Sequence, residues 1–237
     1  MSCIGIIIVT YNSGAEIGRC LDAARRTGAE IVVIDNASTD ATLAEVSRRG
    51  VRLIANAENR GFAAAVNQGF IVLNCPYILL LNPDAVISSS LEPMREACDL
   101  PGSAGAGGLL LDAAGKPQVG FMVRNLPTPM ALILESLLLN RVWPGNPINR
   151  RYRCLDRDNS AQSKVEQPAG AFLMVRRTVW QELGGLDEQF SPLWFEDVDF
   201  CRRIRDRGLD LYYVPQTRAT HAGGHSIAGI PVETKRI

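Results

Sequence analysis

The chain has 237 residues, room for one large α/β domain or two small ones, and 46% of them are hydrophobic, enough for a packed core. Its 25 basic and 25 acidic side chains cancel to a formal net charge of +0, so charge gives no ground for nucleic acid as a partner. No apolar run reaches membrane-span length and no leader pattern is visible, so the protein is expected in the cytoplasm.

The six cysteines are Cys3, Cys20, Cys75, Cys98, Cys154 and Cys201. None forms a C-x-x-C pair, which argues against zinc and thioredoxin-like chemistry. Most have apolar neighbours and are expected as buried thiols in a reducing compartment.

Ile4 to Thr10 is rich in β-branched residues, the pattern of a strand buried on both faces. Tyr11-Asn12-Ser13-Gly14 ends it, and a helix carrying Ile17, Leu21 and Ala24 follows. Ile31 to Ile34 is a second buried strand, closed by the polar stretch from Asp35 to Asp40. A helix near Ala41 to Arg49 and a short strand from Val51 to Ala55 come next. Asn59-Arg60-Gly61-Phe62 opens a helix to about Gly69, and Tyr77 to Leu81 is a strand broken by Asn82-Pro83-Asp84. Strands alternating with helices imply right-handed crossovers and a mostly parallel sheet.

The rhythm changes after Gly102. Ala104 to Leu111 reads as a strand, and Asp112 to Pro117 as a turn into another. Met130 to Leu139 is a strongly apolar helical segment. With Arg141 and Trp143 nearby, it suits either a membrane surface or packing in the core or a homodimer, and the packing reading is favoured. Arg141 to Gln167 is rich in Pro, Asn and Arg and reads as a loop. Ala169 to Arg176 resumes a strand, Thr178 to Leu183 is a short helix, and Gly184-Gly185 breaks it. A helix from Glu196 to Arg207 and two short strands, Leu211 to Val214 and Arg218 to His221, complete the pattern.

Ligands of an open parallel sheet gather at the carboxyl ends of its strands. Four polar clusters fall there: Thr10-Tyr11-Asn12, Asp35-Asn36, Asn59-Arg60-Gly61 and Asn82-Pro83-Asp84. Alone, the Asp35 stretch suits an Asx turn and helix cap; four clusters on one rim point to a nucleotide site. An Asp accepts the imide N–H of uracil or thymine, and a Gly lets backbone approach a phosphate. Asp84, just past a buried strand, is placed to hold a hard cation, although a plain N-P-D turn has the same spacing. Both histidines, His221 and His225, lie in one glycine-containing stretch and suit either a metal or a solvated loop.

Leu193-Trp194-Phe195-Glu196-Asp197-Val198-Asp199 sets three carboxylates among aromatic and apolar residues. Such a group is costly to bury unpaired, so it reads as the rim of a site where a carboxylate takes a proton or holds a polar ligand. All three carboxylates also suit a helix N-terminus electrostatically. At about 100° per residue, Asp197 points away from Asp199, and Asp199 is placed to pair with Arg203 at i,i+4.

In order along nearly the whole chain, Val9-Thr10-Tyr11-Asn12, Asp35 to Asp40, Asn59 to Gly69, Leu80 to Asp84, Gly170 to Arg177, Gly184 to Glu188, Glu196 to Asp199 and His221 resemble the motifs of family 2 glycosyltransferases. The resemblance is to the rhamnosyltransferase-like branch that builds bacterial cell-surface polysaccharide. It implies an α/β GT-A fold over residues 1–237. Residues 1–100 would be a Rossmann-like nucleotide-sugar-binding half with a mostly parallel central sheet. Residues 101–237 would be a smaller acceptor-binding and catalytic half, short or truncated at its C-terminus.

It implies an inverting transferase that moves a rhamnose or similar hexose from a dTDP- or UDP-sugar to a saccharide or lipid-linked hydroxyl, at or near the inner face of the cell membrane. Carried over residue by residue, Thr10, Tyr11, Asn12, Asp35, Asn36, Arg60, Gly61, Asn82 and Asp84 would face the donor. Asp84 and His221 would hold Mg²⁺ or Mn²⁺. Asp197 would be the base, with Glu196 as its helper and Trp194 beside the acceptor. Asn82 departs from the family's strict D-x-D pattern, which removes one charge from the metal site.

Two other readings have sequence counterparts. A sugar nucleotidyltransferase would carry a basic, glycine-rich loop after the first strand, where this chain has Tyr11-Asn12-Ser13-Gly14. A non-catalytic nucleotide-sugar-binding module would not need Asp84, Asp197 and His221 together.

Overall fold

The computed structural model describes residues 3–191 and 195–222. Trp194 and His225, both singled out above, lie outside the described residues. The first half runs β1 (Ile4–Thr10), α1 (Ile17–Arg25), β2 (Glu30–Asp35), α2 (Thr42–Arg48), β3 (Arg52–Ala55), α3 (Phe62–Val72), β4 (Tyr77–Leu81), β5 (Ala85–Ile87) and α4 (Glu92–Cys98). The second runs β6 (Ser103–Leu111), β7 (Val123–Arg124), α5 (Pro129–Ser136), α6 (Leu139–Val142), α7 (Pro147–Tyr152), β8 (Ser163–Val165), β9 (Gln167–Pro168), β10 (Phe172–Arg176), α8 (Arg177–Leu183), α9 (Glu196–Asp206) and β11 (Asp210–His221).

One sheet crosses both halves in the order β3-β2-β1-β4-β10-β6-β11-β5, with β8 on the flank of β11. Strands β3, β2, β1 and β4 pair in parallel. Strand β10 enters antiparallel between β4 and β6, and β11 then runs parallel to β6. The two reversals cancel, so β1, β2, β4, β6 and β11 all point their carboxyl ends at one rim.

Alternation along the strands divides the core. Ile6, Ile8, Val33, Leu79, Leu81 and Met174 pack toward α1, α2 and α4. Ile7, Val32, Ile34, Leu80, Leu173 and Val175 pack toward α3, α8 and α9. On the second face Trp180 bridges the helices, with ring centroids 4.8 Å from Phe70 and 4.9 Å from Phe200. Helix α1 buries Ile17, Cys20, Leu21 and Ala24, the i, i+3, i+4, i+7 stripe of an amphipathic helix.

Strand β6 is built of small residues because its neighbours come close. A Cβ on Gly105 would lie 2.3 Å from the Met174 carbonyl oxygen, and one on Gly107 would lie 2.4 Å from Pro168. The seam between β6 and β10 thus depends on absent side chains, while β10 on its other edge pairs with β4 of the first half.

Four expectations are corrected. The stretch from Arg141 to Gln167 is more than a loop: the Asn146 side chain accepts the Asn149 N–H at 2.8 Å to cap α7, Pro147 follows at the first turn, and β8 pairs with β11. The two expected C-terminal strands are one, β11, with a register shift between Val214 and Arg218; Pro215, lacking an N–H, falls in that irregular stretch. Cys3 and Cys75 form a disulfide, because the entry to β1 lies beside the entry to β4, while Cys20, Cys98 and Cys201 are buried thiols as expected. The apolar segment near residue 130 is not packed into the core: among the described residues Ala131 is the only buried member of α5, and α6 has none. Among the described residues no helix is long and apolar enough to cross a membrane.

Gly105→Ala is expected to cost about 1–3 kcal/mol, the usual range for overpacking. Urea denaturation reads this as a lower midpoint; an unchanged midpoint would contradict the close approach of β6 and β10.

Candidate active site

Three of the four predicted rim clusters interlock. The Thr10 hydroxyl donates to Asp35 Oδ1 at 2.8 Å, and the Asn36 N–H donates to the Thr10 carbonyl at 2.8 Å. The Asn36 amide donates to the Gly61 carbonyl at 3.0 Å, tying the start of α3 to the end of β2. Gly61 holds φ 83° there, a left-handed region that glycine enters without strain. Asp35 also accepts the Ser38 N–H at 2.8 Å, and the Asn12 side chain accepts the Thr39 N–H at 2.8 Å.

Thr10, Asp35 and Asn36 are buried. Tyr11, Asn12 and Arg60 are exposed around them. The buried members fix the rim, and the exposed members present its surface.

The fourth cluster meets the far end of the chain. Because His221 pairs with Ala85 across β11 and β5, its ring reaches Asp84 and Asn82. His221 Nε2 lies 3.3 Å from Asp84 Oδ1 and 3.4 Å from Asn82 Nδ2. Gln118 sets the ring from the other side: its Nε2 donates to the His221 carbonyl at 2.9 Å, which leaves its Oε1 facing His221 Nδ1 at 3.0 Å. An acceptor at Nδ1 keeps the ring proton there and turns the Nε2 lone pair toward Asp84. Phe121 stacks on the ring at 5.1 Å.

A carboxylate oxygen and an imidazole lone pair that face each other in a buried place need a proton or a cation between them. Asp84 and His221 are buried, 7% and 4% exposed. A carboxylate and an imidazole together are a donor set that fits a divalent cation.

Asp197 stands in the first turn of α9. Its Oδ1 accepts the Val198 N–H at 2.8 Å, and its Oδ2 faces the Gly170 N–H at 3.4 Å. Burial pushes its carboxyl above the usual range, against the lowering effects of those two N–H groups, the Arg124 charge and the Gln167 side chain. Phe195, directly before the helix, holds φ 70°, uncommon for a bulky residue and of a kind that gathers at functional sites. Glu196 is buried, 5% exposed. Asp199 pairs with Arg203 at 2.7 Å as predicted, and Arg203 also donates to the Leu183 and Gly185 carbonyls, so this carboxylate serves the helix.

The turn before β10 connects Asp197 to the histidine pair. Gly170 faces Asp197, the next residue, Ala171, accepts the Asn82 N–H at 3.0 Å, and Asn82 reaches His221. Gln118, Arg124 and Gln167 were not foreseen. Gln118 stands behind an ordinary turn, and Arg124 and Gln167 are single polar residues on the short strands β7 and β9, which pair with each other. Nothing in their local pattern marks them.

The profile described as "Glycosyl transferase family 2" matches residues 5–184, and one described as "Glycosyltransferase like family 2" matches residues 147–233. The chain is 28% identical to the N-acetylglucosaminyl-diphospho-decaprenol L-rhamnosyltransferase of Mycobacterium tuberculosis, across 95% of this chain and 78% of that protein. It is 26% identical to the low-salt glycan biosynthesis hexosyltransferase Agl10 of Haloferax volcanii, across 92% of this chain and 66% of that one. Among solved structures, the mannosyltransferase PcManGT from Pyrobaculum calidifontis, in complex with GDP-Man and Mn²⁺, superposes with a TM-score of 0.63 at 17% identity, covering 95% of this chain and 58% of that one. GalNAc-T7 with UDP, GalNAc and Mn²⁺ superposes with a TM-score of 0.67 at 16% identity, covering 94% and 44%. These likenesses establish the GT-A fold, and the chain spans under two thirds of either solved chain.

A carboxyl raised by burial favours the fold most at pH below its unfolded value of about 3.9, and that contribution is lost as pH rises through the folded value. An amide carries no charge to bury. Asp197→Asn is therefore expected to raise the thermal midpoint at neutral pH, with the gap to wild type narrowing in acid. Midpoints measured from about pH 4 to about pH 8 check this; a variant less stable than wild type at neutral pH would oppose it.

Proposed function

The chain belongs to glycosyl transferase family 2, and on that premise we propose that it is an inverting glycosyltransferase of cell-surface polysaccharide synthesis. It moves a rhamnose or similar hexose from a dTDP- or UDP-sugar to a hydroxyl of a saccharide or lipid-linked acceptor, working peripherally at the inner face of the cell membrane. The observation that carries the reading is the contact path from Asp197 through Gly170, Ala171 and Asn82 to His221. It sets a half-buried carboxylate near a buried Asp–His pair, the arrangement that displacement at an anomeric carbon requires.

Tyr11, Asn12 and Arg60 present the surface for the base and ribose, over the turn that Thr10, Asp35, Asn36 and Gly61 hold. Asp35 accepts three internal donors, the Thr10 hydroxyl and the Ser38 N–H and hydroxyl, and its remaining lone pair is the one that would accept an imide N–H. Asp84 and His221 would hold Mg²⁺ or Mn²⁺, whose charge, when the ion is bound, stabilises the departing diphosphate. Asn82, whose amide nitrogen lies 3.4 Å from His221 Nε2, stands where a second carboxylate would be, which leaves Asp84 the single acidic ligand.

Asp197 takes the proton of the acceptor hydroxyl as its oxygen bonds to the anomeric carbon and the bond from that carbon to the diphosphate oxygen breaks. Its raised pKa brings it closer to the operating pH, which is where a general base works best. One carboxylate opposite the leaving group gives inversion in one displacement. Buried Glu196, beside Asp197 in the first turn of α9, would serve as its helper on the acceptor side.

Asp197→Asn is expected to lower kcat roughly 10²–10⁴-fold, the usual worth of a general base, with donor affinity nearly unchanged because a base acts in the transition state. A thermal-shift panel led by dTDP- and UDP-sugars selects the donor, and transfer assays with that donor compare the two proteins. Turnover like that of wild type in the variant would refute Asp197 as the base.

A further inference from the structure

Exposed large apolar side chains gather around α5 and α6. Met130, Ile133, Leu137, Leu138, Val142 and Trp143 are 51%, 49%, 63%, 52%, 86% and 65% exposed. Exposure of this extent in one place marks an interaction surface. It is not a frayed end: Thr128 caps α5 by accepting the Ala131 N–H at 3.2 Å, the Asn146 amide bridges to Asn140 at 2.9 Å, and Arg153 pairs with Glu135 at 2.9 Å.

Charge identifies the occupant. Between Pro129 and Arg153 the chain carries four arginines and one acid, Glu135, in a protein whose formal net charge is +0. Arg150 and Arg153 are paired with Asp156 and Glu135. Arg141 and Arg151 are exposed, and among the described residues neither has an ion-pair partner. A second copy docked about a two-fold axis would present the same arginine-rich patch and so little acid to pair with Arg141 and Arg151. An anionic lipid surface instead takes the apolar side chains into its acyl boundary and the guanidinium groups at its headgroups.

The surface also leads toward the first turn of α9. Pro127, two residues before α5, lines a cavity of about 250 Å³ whose other walls are Leu126, Phe190, Phe195, Val198, Asp199 and Arg202. Phe195 and Val198 flank Glu196 and Asp197 in the chain.

We propose that the α5–α6 surface docks on an anionic lipid bilayer and holds the cavity at the start of α9, the helix that carries Asp197, at the membrane, where a lipid-linked acceptor enters. The inference rests on the transferase reading only for the acceptor; the docking itself is independent of turnover. Vesicles of phosphatidylglycerol and phosphatidylcholine, and of phosphatidylcholine alone, are sedimented with wild type, with Val142→Glu/Trp143→Glu, and with Arg141→Gln/Arg151→Gln. Wild type is expected to partition onto the anionic vesicles and to release as salt rises. The glutamate variant should lose roughly tenfold or more of that partition, and the glutamine variant should lose the preference for anionic lipid. Thermal midpoints and nucleotide-sugar binding like those of wild type exclude misfolding.

Wild type left in the supernatant overturns the proposal. If light scattering then shows a dimer that the glutamate variant loses, the surface belongs to a second copy; if the protein stays monomeric, another part of the chain covers it. Vesicle binding without transfer to any acceptor would count against the transferase reading and leave docking intact. Transfer to a soluble acceptor without vesicle binding would do the reverse.

Discussion

One backbone hydrogen bond joins the two chemistries: the Asn82 N–H to the Ala171 carbonyl, 3.0 Å. It sits where β10 enters the sheet antiparallel to β4, with Phe172 opposite Leu81 and Arg176 opposite Tyr77. Run parallel, β10 would place its preceding turn at the far edge, away from Asp84. Run antiparallel, it delivers Gly170 and Ala171 to the rim where β1, β2 and β4 end, and Gly170 there faces Asp197. The same reversal sets the direction of β6, and through it β11, so that His221 ends its strand on the same rim. Topology, more than any single loop, assembles the site.

The site buries ionisable groups at two points. Asp84 and His221 face each other while buried, and Asp197 is pushed up by burial. Taking such groups out of water carries solvation costs. The core on both sides of the sheet offsets them, and the small residues of β6 permit the close seam on which the geometry rests. Gln118 contributes in another way, by fixing which nitrogen of His221 carries the proton.

The parallel half was legible because its strands are apolar runs punctuated by polar turns; Tyr77–Leu81 is the clearest case, its ends matching the pattern. The same punctuation exposed Thr10, Asp35, Asn82 and Asp84. The i,i+4 pair Asp199–Arg203 followed from helix periodicity alone. The second half was harder. Strand β5 and helix α4 are short and carry little period. Pro215 split one strand into two in the sequence pattern, although pairing with β6 resumes beyond it. Whether the apolar segment near residue 130 lies inside or outside depends on tertiary neighbours, and composition does not carry that. Gln118, Arg124 and Gln167 act only through distant partners, so no local signal marks them.

On the function proposed above, Asp84 and His221, brought together by this topology, hold a divalent cation against the donor's diphosphate. Calorimetry of dTDP and UDP binding, with Mn²⁺ and with a chelator, tests it on wild type and His221→Ala. The account predicts nucleotide affinity in wild type that depends on Mn²⁺, and loss of that dependence in the variant with the fold intact. Equal affinity in wild type with and without Mn²⁺, or an unchanged Mn²⁺ dependence in His221→Ala, would contradict it.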